Sequence, residues 1–326
     1  MTRFLSCDWG TSAFRLRLVT VPDLSIIAEG VSTMGIMSCY EEWKKTNETN
    51  AETRILFYIE TLSKHIQNIE NRLSLDLDGI PVVISGMASS SIGMMELPYG
   101  KLPFDASGES AQVHIIKAST AFAHTIFLVS GLRTEDDVMR GEETQWLGAV
   151  AESTATDLTQ LYIFPGTHSK HLLIKNNTII DFKTYMTGEF FDLLSKKSIL
   201  QAAVEHSTGW DEEEKTESFR KGVRDASATN LLHASFKVRT NDLFRTLSKK
   251  QNYSYLSGLL IGMEISDISK DNAHQIWLCC SQQLIKPYEL ALQELGFIER
   301  TSIFPSDQFD STVVKGQYKI LVHRNE

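Results

Sequence analysis

The sequence predicts an α/β protein of two domains, each a mixed sheet headed by a tight β-hairpin and flanked by helices. Three observations lead there. Strand and helix patterns alternate along the whole chain, as in α/β architectures. The stretch Cys7-Asp8-Trp9-Gly10-Thr11-Ser12 makes a polar turn between an apolar run and an alternating one. A matching stretch, Pro165-Gly166-Thr167-His168-Ser169-Lys170, returns about half a chain later.

In the first hairpin, Phe4 and Leu5 lead in, and Phe14, Leu16 and Leu18 alternate with Arg15 and Arg17 on the way out. That period of two reads as a strand with one buried face. Ile26-Ile27-Ala28 is a third strand after the Pro22-Asp23 turn. Residues 51–72 read as an amphipathic helix, with Ile55, Ile59, Leu62 and Ile66 three or four apart. Residues 81–86 form a buried strand ending on glycine, and 125–129 another. Glu142 to Ala151 is a helix with Trp146, Leu147 and Val150 on its apolar side.

The second half repeats the order. Residues 161–164, 171–174 and 179–182 are three strands around the second turn and Asn176-Asn177. Helices follow over 226–249 and 253–269, then a strand at 275–279, a helix at 284–295 and a strand at 301–304. Glu212-Glu213-Glu214 is a solvated loop or helix end. Gly258 and Gly262, four apart, suit close helix packing. Aligning Gly10-Thr11 with Gly166-Thr167 superposes the hairpins without a gap, which suggests two related domains. The expected division is 1–136 and 137–326, with the boundary near Thr134 to Arg140.

The chain of 326 residues is 42% hydrophobic and 22% charged, a globular profile. Its net charge of −9 argues against general nucleic-acid binding, which needs a basic surface. Cys7, Cys39, Cys279 and Cys280 contain no Cys-x-x-Cys, so reduced thiols in a cytoplasmic protein are expected. No signal peptide opens the chain and no run is long enough to span a membrane, so no membrane partner is expected.

The turn chemistry points to phosphate. Gly10 allows close approach of another group, and successive N–H groups in such a turn can form an anion nest. Asp8 suits a hydrated Mg2+ held by phosphates; the alternative is an ordinary β-turn with a capping Asp. P-loop, Gly-x-Gly-x-x-Gly, His-Glu-x-x-His and Gly-x-Ser-x-Gly motifs are absent, so the phosphate expectation rests on the paired hairpins.

Several blocks carry a resemblance. They are Asp8-Trp9-Gly10-Thr11-Ser12, Ser85-Gly86-Met87 with Glu96-Leu97-Pro98-Tyr99, and Val138-Met139-Arg140-Gly141-Glu142-Glu143-Thr144-Gln145. Next come Phe164-Pro165-Gly166-Thr167-His168-Ser169-Lys170, Thr184-Tyr185-Met186-Thr187-Gly188-Glu189 and Tyr255-Leu256-Ser257-Gly258-Leu259-Leu260-Ile261-Gly262. In this order they resemble the 2-dehydro-3-deoxygalactonokinase family of the actin-like ATPase and sugar kinase superfamily. The resemblance implies an actin-like (ribonuclease H-like) fold with ATP and a sugar acid between the domains. It implies transfer of phosphate from ATP, with Mg2+, to the 6-hydroxyl of 2-dehydro-3-deoxy-D-galactonate. The chain departs from the family at Ser91, where an arginine is usual, and at Met94, where a tryptophan is. It departs again at Cys279-Cys280-Ser281 and Gly316-Gln317. These departures keep open a kinase of a different keto or aldonic acid, or a non-catalytic sugar-acid sensor of the same fold. The partner is a small molecule, and a homo-oligomer is compatible with the sequence.

The roles implied are these. Asp8 serves the metal, and Gly10, Thr11 and Ser12 bind phosphate oxygens. Gly166, Thr167, Ser169 and Lys170 bind phosphate from the second hairpin. Glu142 or Glu143 is the catalytic base, with a slight lean to Glu142; helix N-terminal preference explains the other. Ser89, Arg140, His168 and Glu189 contact the substrate, arginine being able to grip a carboxylate bidentately. Trp9 walls the sugar pocket or packs in the core.

Overall fold

The computed structural model describes residues 1–150, 157–207, 209, 213–270 and 273–324. The chain divides into two compact units, Met1–Thr154 with Asp310–Glu326, and Ala155–Phe309.

The first unit holds strands β1 (Arg3–Trp9), β2 (Phe14–Thr20), β3 (Ile26–Ser32), β4 (Val82–Gly86), β5 (Gly100–Lys101), β6 (Phe104–Asp105), β7 (Val113–Ile116), β8 (Ile126–Val129), β9 (Leu132–Arg133) and β10 (Val138–Met139). Its helices are α1 (Ile36–Lys44), α2 (Ala51–Leu73) and α3 (Glu142–Ala149). The main sheet runs β3-β2-β1-β4-β8-β7, and β10-β9-β5 form a small ribbon. β1 pairs antiparallel with β2 and parallel with β4. Alternation along β1 sends Leu5, Cys7 and Trp9 into one core, with Phe14, Leu16, Tyr58, Leu62, Val82 and Ile84. Asp8 therefore points to the opposite face. α2 supplies Tyr58, Leu62, Ile66 and Ile69 at helical spacing. Asn50 caps it by accepting the Glu52 N–H at 2.8 Å.

The second unit holds β11 (Gln160–Phe164), β12 (Ser169–Lys175), β13 (Thr178–Tyr185), β14 (Gln275–Leu278) and β15 (Thr301–Ile303). Its helices are α4 (Thr187–Lys197), α5 (Glu213–Ala228), α6 (Leu231–Leu243), α7 (Lys249–Ser266) and α8 (Gln282–Glu294). These strands lie in the order β15-β14-β11-β12-β13. β11-β12 and β12-β13 are antiparallel, while β11-β14 and β14-β15 are parallel. The same order, third-second-first-fourth-fifth, exists in the first unit as β3-β2-β1-β4-β8. It is the ribonuclease H-like order of actin-like ATPases, present once in each unit. Gly258 and Gly262 of α7 lie against the α5 backbone, where a Cβ on Gly262 would sit 2.7 Å from Val223 Cα.

Two details differ from the sequence expectations. The helix expected over 226–249 is the shorter α6, which starts at the Asn230 cap, where Asn230 accepts the Leu232 N–H. Residues 226–228 end α5, whose earlier part was not expected as a helix, and α7 starts at Lys249 on the Ser248 capping box, ahead of the expected 253. The anticipated ranges 1–136 and 137–326 also differ from the compact units. Residues 137–150 continue the first unit through β10 and α3, and the last helix, α9 (Ser306–Val322), belongs to it from Asp310 onward. α3 and α9 cross at small residues: a Cβ on Gly316 would meet Thr144 Cγ2 at 3.1 Å, and one on Gly148 would strike Thr312. Among the described residues no helix is long and apolar enough to cross a membrane.

Candidate active site

Each unit carries one hairpin, and they are closed differently. The first turn, Gly10 to Ala13, lies between the paired residues Trp9 and Phe14. The Gly10 N–H donates to Ala13 O at 2.9 Å. Thr11 and Ser12 stand exposed at its tip. α1 begins on this turn, its Ile36 and Met37 amides donating to Gly10 O and Thr11 O at 2.9 and 3.1 Å. Trp9 is fully buried, donates its indole N–H to Met34 O at 3.0 Å, and packs edge-on against Phe14 and Tyr58. It is a core residue.

Asp8 sits at the mouth of this hairpin, with its side chain 23% exposed. Arg15, its cross-strand partner, places Nη1 3.4 Å from Asp8 Oδ2. Burial raises the Asp8 carboxyl above its usual range; Arg15 and Arg17 pull it back, and nearby Glu142 pushes it up further. Gly86, at the end of β4, abuts the same spot. It has φ of +91°, and a Cβ there would lie 2.8 Å from Trp9 O and 3.6 Å from Asp8 Oδ1. Only glycine accommodates both the dihedral and the closeness. Gly141, immediately before α3, comes against Gly86, so the start of α3 is delivered beside Asp8.

The two glutamates at that helix start have separate environments. Glu143 is buried and accepts the Gly141 N–H with both oxygens, at 3.0 and 2.8 Å, and the Thr144 hydroxyl at 3.1 Å. Burial, then the charge of Glu142, pushes its pKa up to about 7. Glu142 is half-buried, and its charge reaches both Asp8 and Glu143. Arg140, two residues earlier, donates to Ser89 Oγ at 2.8 Å and Leu97 O at 3.2 Å, and its guanidinium lies 3.9 Å over the Tyr99 ring. Its Nε is buried without a hydrogen-bond partner. Ser91 is exposed, its carbonyl accepting from Arg54 at 2.9 Å, and Met94 is a core residue. In this unit the fold thus gathers Asp8, Ser89, Arg140, Glu142 and Glu143 around Gly86 and Gly141.

The second hairpin has Phe164 and Lys170 as its last pair, leaving Pro165 to Ser169 between them. Its turn is one residue longer, so the gapless alignment does not extend through the pairing register. Gly166, Thr167 and His168 are exposed. The Gly166 N–H donates to Ser169 Oγ at 3.3 Å, the place that Ala13 O fills in the first turn. Ser169, expected to donate to phosphate, is fully buried, and its hydroxyl lies 3.0 Å from the buried Tyr288 hydroxyl. Lys170 is buried and donates to His168 O at 3.0 Å. His168 and Glu189, expected to contact substrate, form an exposed pair with each other through His168 Nε2 and Glu189 Oε2.

α4 begins on this turn as α1 does on the first. Its Glu189 amide donates to Thr167 O at 3.0 Å, and a Cβ on Gly188 would lie 2.6 Å from Gly166 O. Next to the turn is a cavity of about 760 Å³. Gly166 and Gly188 form its hairpin end; Phe191, Tyr253, Leu284 and Pro287 are apolar walls; Gln282 and Lys286 offer polar groups. The size and mixed lining suit a nucleoside-sized ligand.

Sequence reasoning gave no role to Tyr99, Tyr288, Glu264 or His171. The signal for Glu264 was present: it is a lone acid in the apolar stretch Leu256 to Ile265 of α7.

Residues 8–312 match the family model described as 2-keto-3-deoxy-galactonokinase. The chain is 34% identical to the 2-dehydro-3-deoxygalactonokinase of Escherichia coli (strain K12) over 225 residues, which is 66% of this chain and 71% of that protein. It is 32% identical to DgoK1 of Rhizobium meliloti (strain 1021), named for the same activity, over 275 residues, 81% of this chain and 79% of that one. A crystal structure of a candidate 2-dehydro-3-deoxygalactonokinase from Sinorhizobium meliloti covers 98% of this chain and 99% of its own, with a TM-score of 0.76 at 25% identity. With the twofold ribonuclease H-like topology, these matches establish that the chain belongs to the 2-keto-3-deoxy-galactonokinase family and is a carbohydrate kinase.

Proposed function

We propose that the protein phosphorylates the 6-hydroxyl of 2-dehydro-3-deoxy-D-galactonate with Mg-ATP, a step of galactonate breakdown in the cytoplasm. The observation that carries the chemistry is the division of labour at the start of α3. Glu143 is occupied with Gly141 and Thr144, whereas Glu142 is half-buried and in electrostatic reach of Asp8. Glu142 takes the proton of the sugar hydroxyl as its oxygen bonds to the γ-phosphorus. The bond from that phosphorus to the bridging oxygen breaks, and ADP leaves. An ordinary carboxylate suffices, because proton transfer is late in a loose transition state.

One carboxylate at a partly exposed hairpin mouth fits a hydrated Mg2+, which keeps several waters and needs few protein ligands. When bound, the ion would neutralise charge on the transferring phosphate. Gly10, Thr11 and Ser12 offer donors from the first turn; Gly166 and Thr167, with the Lys170 charge, line the second. Arg140, fixed by Ser89, Leu97 and Tyr99, meets the substrate carboxylate, and the buried, unpartnered Nε supports such a role. His168 and Glu189 bind as their exposed pair. The cavity beside Gly166 takes adenosine. The partner is a small sugar acid, with no nucleic acid or membrane involved, and the chain works alone or as a homo-oligomer.

The test is ADP release from purified protein with Mg-ATP and a panel of 2-keto-3-deoxy and aldonic acids, with and without EDTA. Metal-dependent turnover highest on 2-dehydro-3-deoxy-galactonate is expected. No ADP release with any 2-keto-3-deoxy sugar acid would sink the proposal; turnover on another acid alone would move the substrate.

A further inference from the structure

A buried polar chain runs from the second turn into the helices of its own unit. Ser169 Oγ accepts the Gly166 N–H and lies 3.0 Å from Tyr288 Oη on α8. The Tyr288 hydroxyl donates to Glu264 Oε2 on α7 at 2.9 Å. Glu264 also meets the Thr187 hydroxyl, at the first residue of α4, and His171 Nε2 on β12, at 3.0 Å. Ser169, Tyr288, Glu264 and His171 are all buried. Burying a carboxyl so deeply is costly unless several donors hold it, and three converge here.

The direction of the chain follows from proton counting. Tyrosine has a single hydroxyl proton, and Tyr288 gives it to Glu264. Ser169 must then donate its own proton to Tyr288, which leaves its lone pairs for the Gly166 amide. The first turn needs no such chain, since the backbone carbonyl of Ala13 closes it. The second turn is one residue longer and is closed by a side chain whose hydrogen must be aimed.

We infer that Glu264 and Tyr288 are positioning residues, holding the Ser169 hydroxyl so that it closes the Gly166 turn in its phosphate-binding shape. Thr187 ties the start of α4 to the same carboxyl, so turn and helix are held together. The effect on nucleotide rests on the ATP assignment proposed above; the effect on the turn itself does not.

Tyr288→Phe removes one hydroxyl and keeps the ring packing. The expected result is a KM for ATP raised about tenfold, near 1.4 kcal/mol, with the KM for sugar acid unchanged. Hydrogen exchange of a peptide spanning the turn should accelerate about tenfold, while β11 stays protected. Glu264→Gln should act in the same direction. In a Ser169→Ala background, Tyr288→Phe should add nothing to the KM for ATP, because the chain is already cut. Unchanged turn exchange in Tyr288→Phe overturns the inference, as do additive KM effects in the double variant. If the wild type proves to use no ATP, the functional proposal fails and the exchange experiment still decides this one.

Discussion

Glu143 reaches back two residues and holds the Gly141 amide with both carboxylate oxygens, at 3.0 and 2.8 Å. On the proposed function its neighbour Glu142 is the residue left to act as the base. Glu142→Gln should lower kcat by at least about 100-fold, the scale of losing a general base. Glu143→Gln should keep kcat within about tenfold and lower the melting temperature instead, since a buried carboxyl that stays hydrogen-bonded acts on stability. Steady-state kinetics on both variants separates the roles. The reverse ranking of kcat would reassign the base.

Glu143 also makes stability depend on pH. Its folded pKa of about 7 lies above the ordinary carboxylate value of 4.5. The folded state thus binds the proton more tightly than the unfolded chain does. The stabilisation is full below pH 4.5 and is lost as pH rises through about 7. The difference is on the order of 3 kcal/mol. Urea unfolding of wild type and Glu143→Gln at pH 5 and pH 8 isolates it. The wild-type advantage should shrink or reverse at the higher pH. A gap that does not move with pH would show that this carboxyl titrates normally.

Asp8 costs the fold something, because burial raises its pKa despite Arg15 and Arg17. Asp8→Asn should abolish metal-dependent turnover, a fall of about 100-fold or more, while the melting temperature holds or rises. Mg2+ titration of the residual activity should show a raised requirement. A variant with kcat within threefold of wild type and the same Mg2+ dependence would remove Asp8 from the metal site.

Arg140→Lys keeps the charge but cannot span Ser89 Oγ, Leu97 O and the Tyr99 face at once. The KM for sugar acid should rise about tenfold, with a smaller change in the KM for ATP. An effect confined to ATP would place Arg140 on phosphate.

Glycines of the second hairpin should tolerate alanine unequally. A Cβ on Gly166 has no neighbour within 4 Å, whereas one on Gly188 would press 2.6 Å from Gly166 O. Gly188→Ala should destabilise by about 1–3 kcal/mol, and Gly166→Ala should have little effect on stability. Thermal melts of the two variants test the close seating of α4 on the turn; equal melts would refute it.

Much of this was legible in the sequence because it is local. Gly-Thr turns between alternating strands, the apolar spacing of α2 and the block around Arg140 all declare themselves within a few residues. What escaped depends on partners far along the chain. Nothing near Ser169 says that Tyr288 stands behind it, so its hydroxyl reads as a free donor. The two glutamates of α3 look alike until the Gly141 amide is seen to claim one. The body of α5 was missed because its charged sequence reads as solvated surface, and its buried Phe219, Gly222 and Val223 face α7, a partner far along the chain. The return of α9 is invisible to periodicity, which gives a helix its apolar face but not its neighbour.

That return has a consequence for how the protein is made. Gln317 of α9 donates to Cys7 O and Ser85 Oγ, both at 2.8 Å, bridging the two strands that carry Asp8 and Gly86. A nascent chain exposes β1 before the second unit and α9 after it. The first unit must wait until α9 has been synthesised, while the unit encoded in between can complete itself sooner. Order of synthesis and order of completion are thus inverted, and the arrival of α9 becomes the event that closes the first unit.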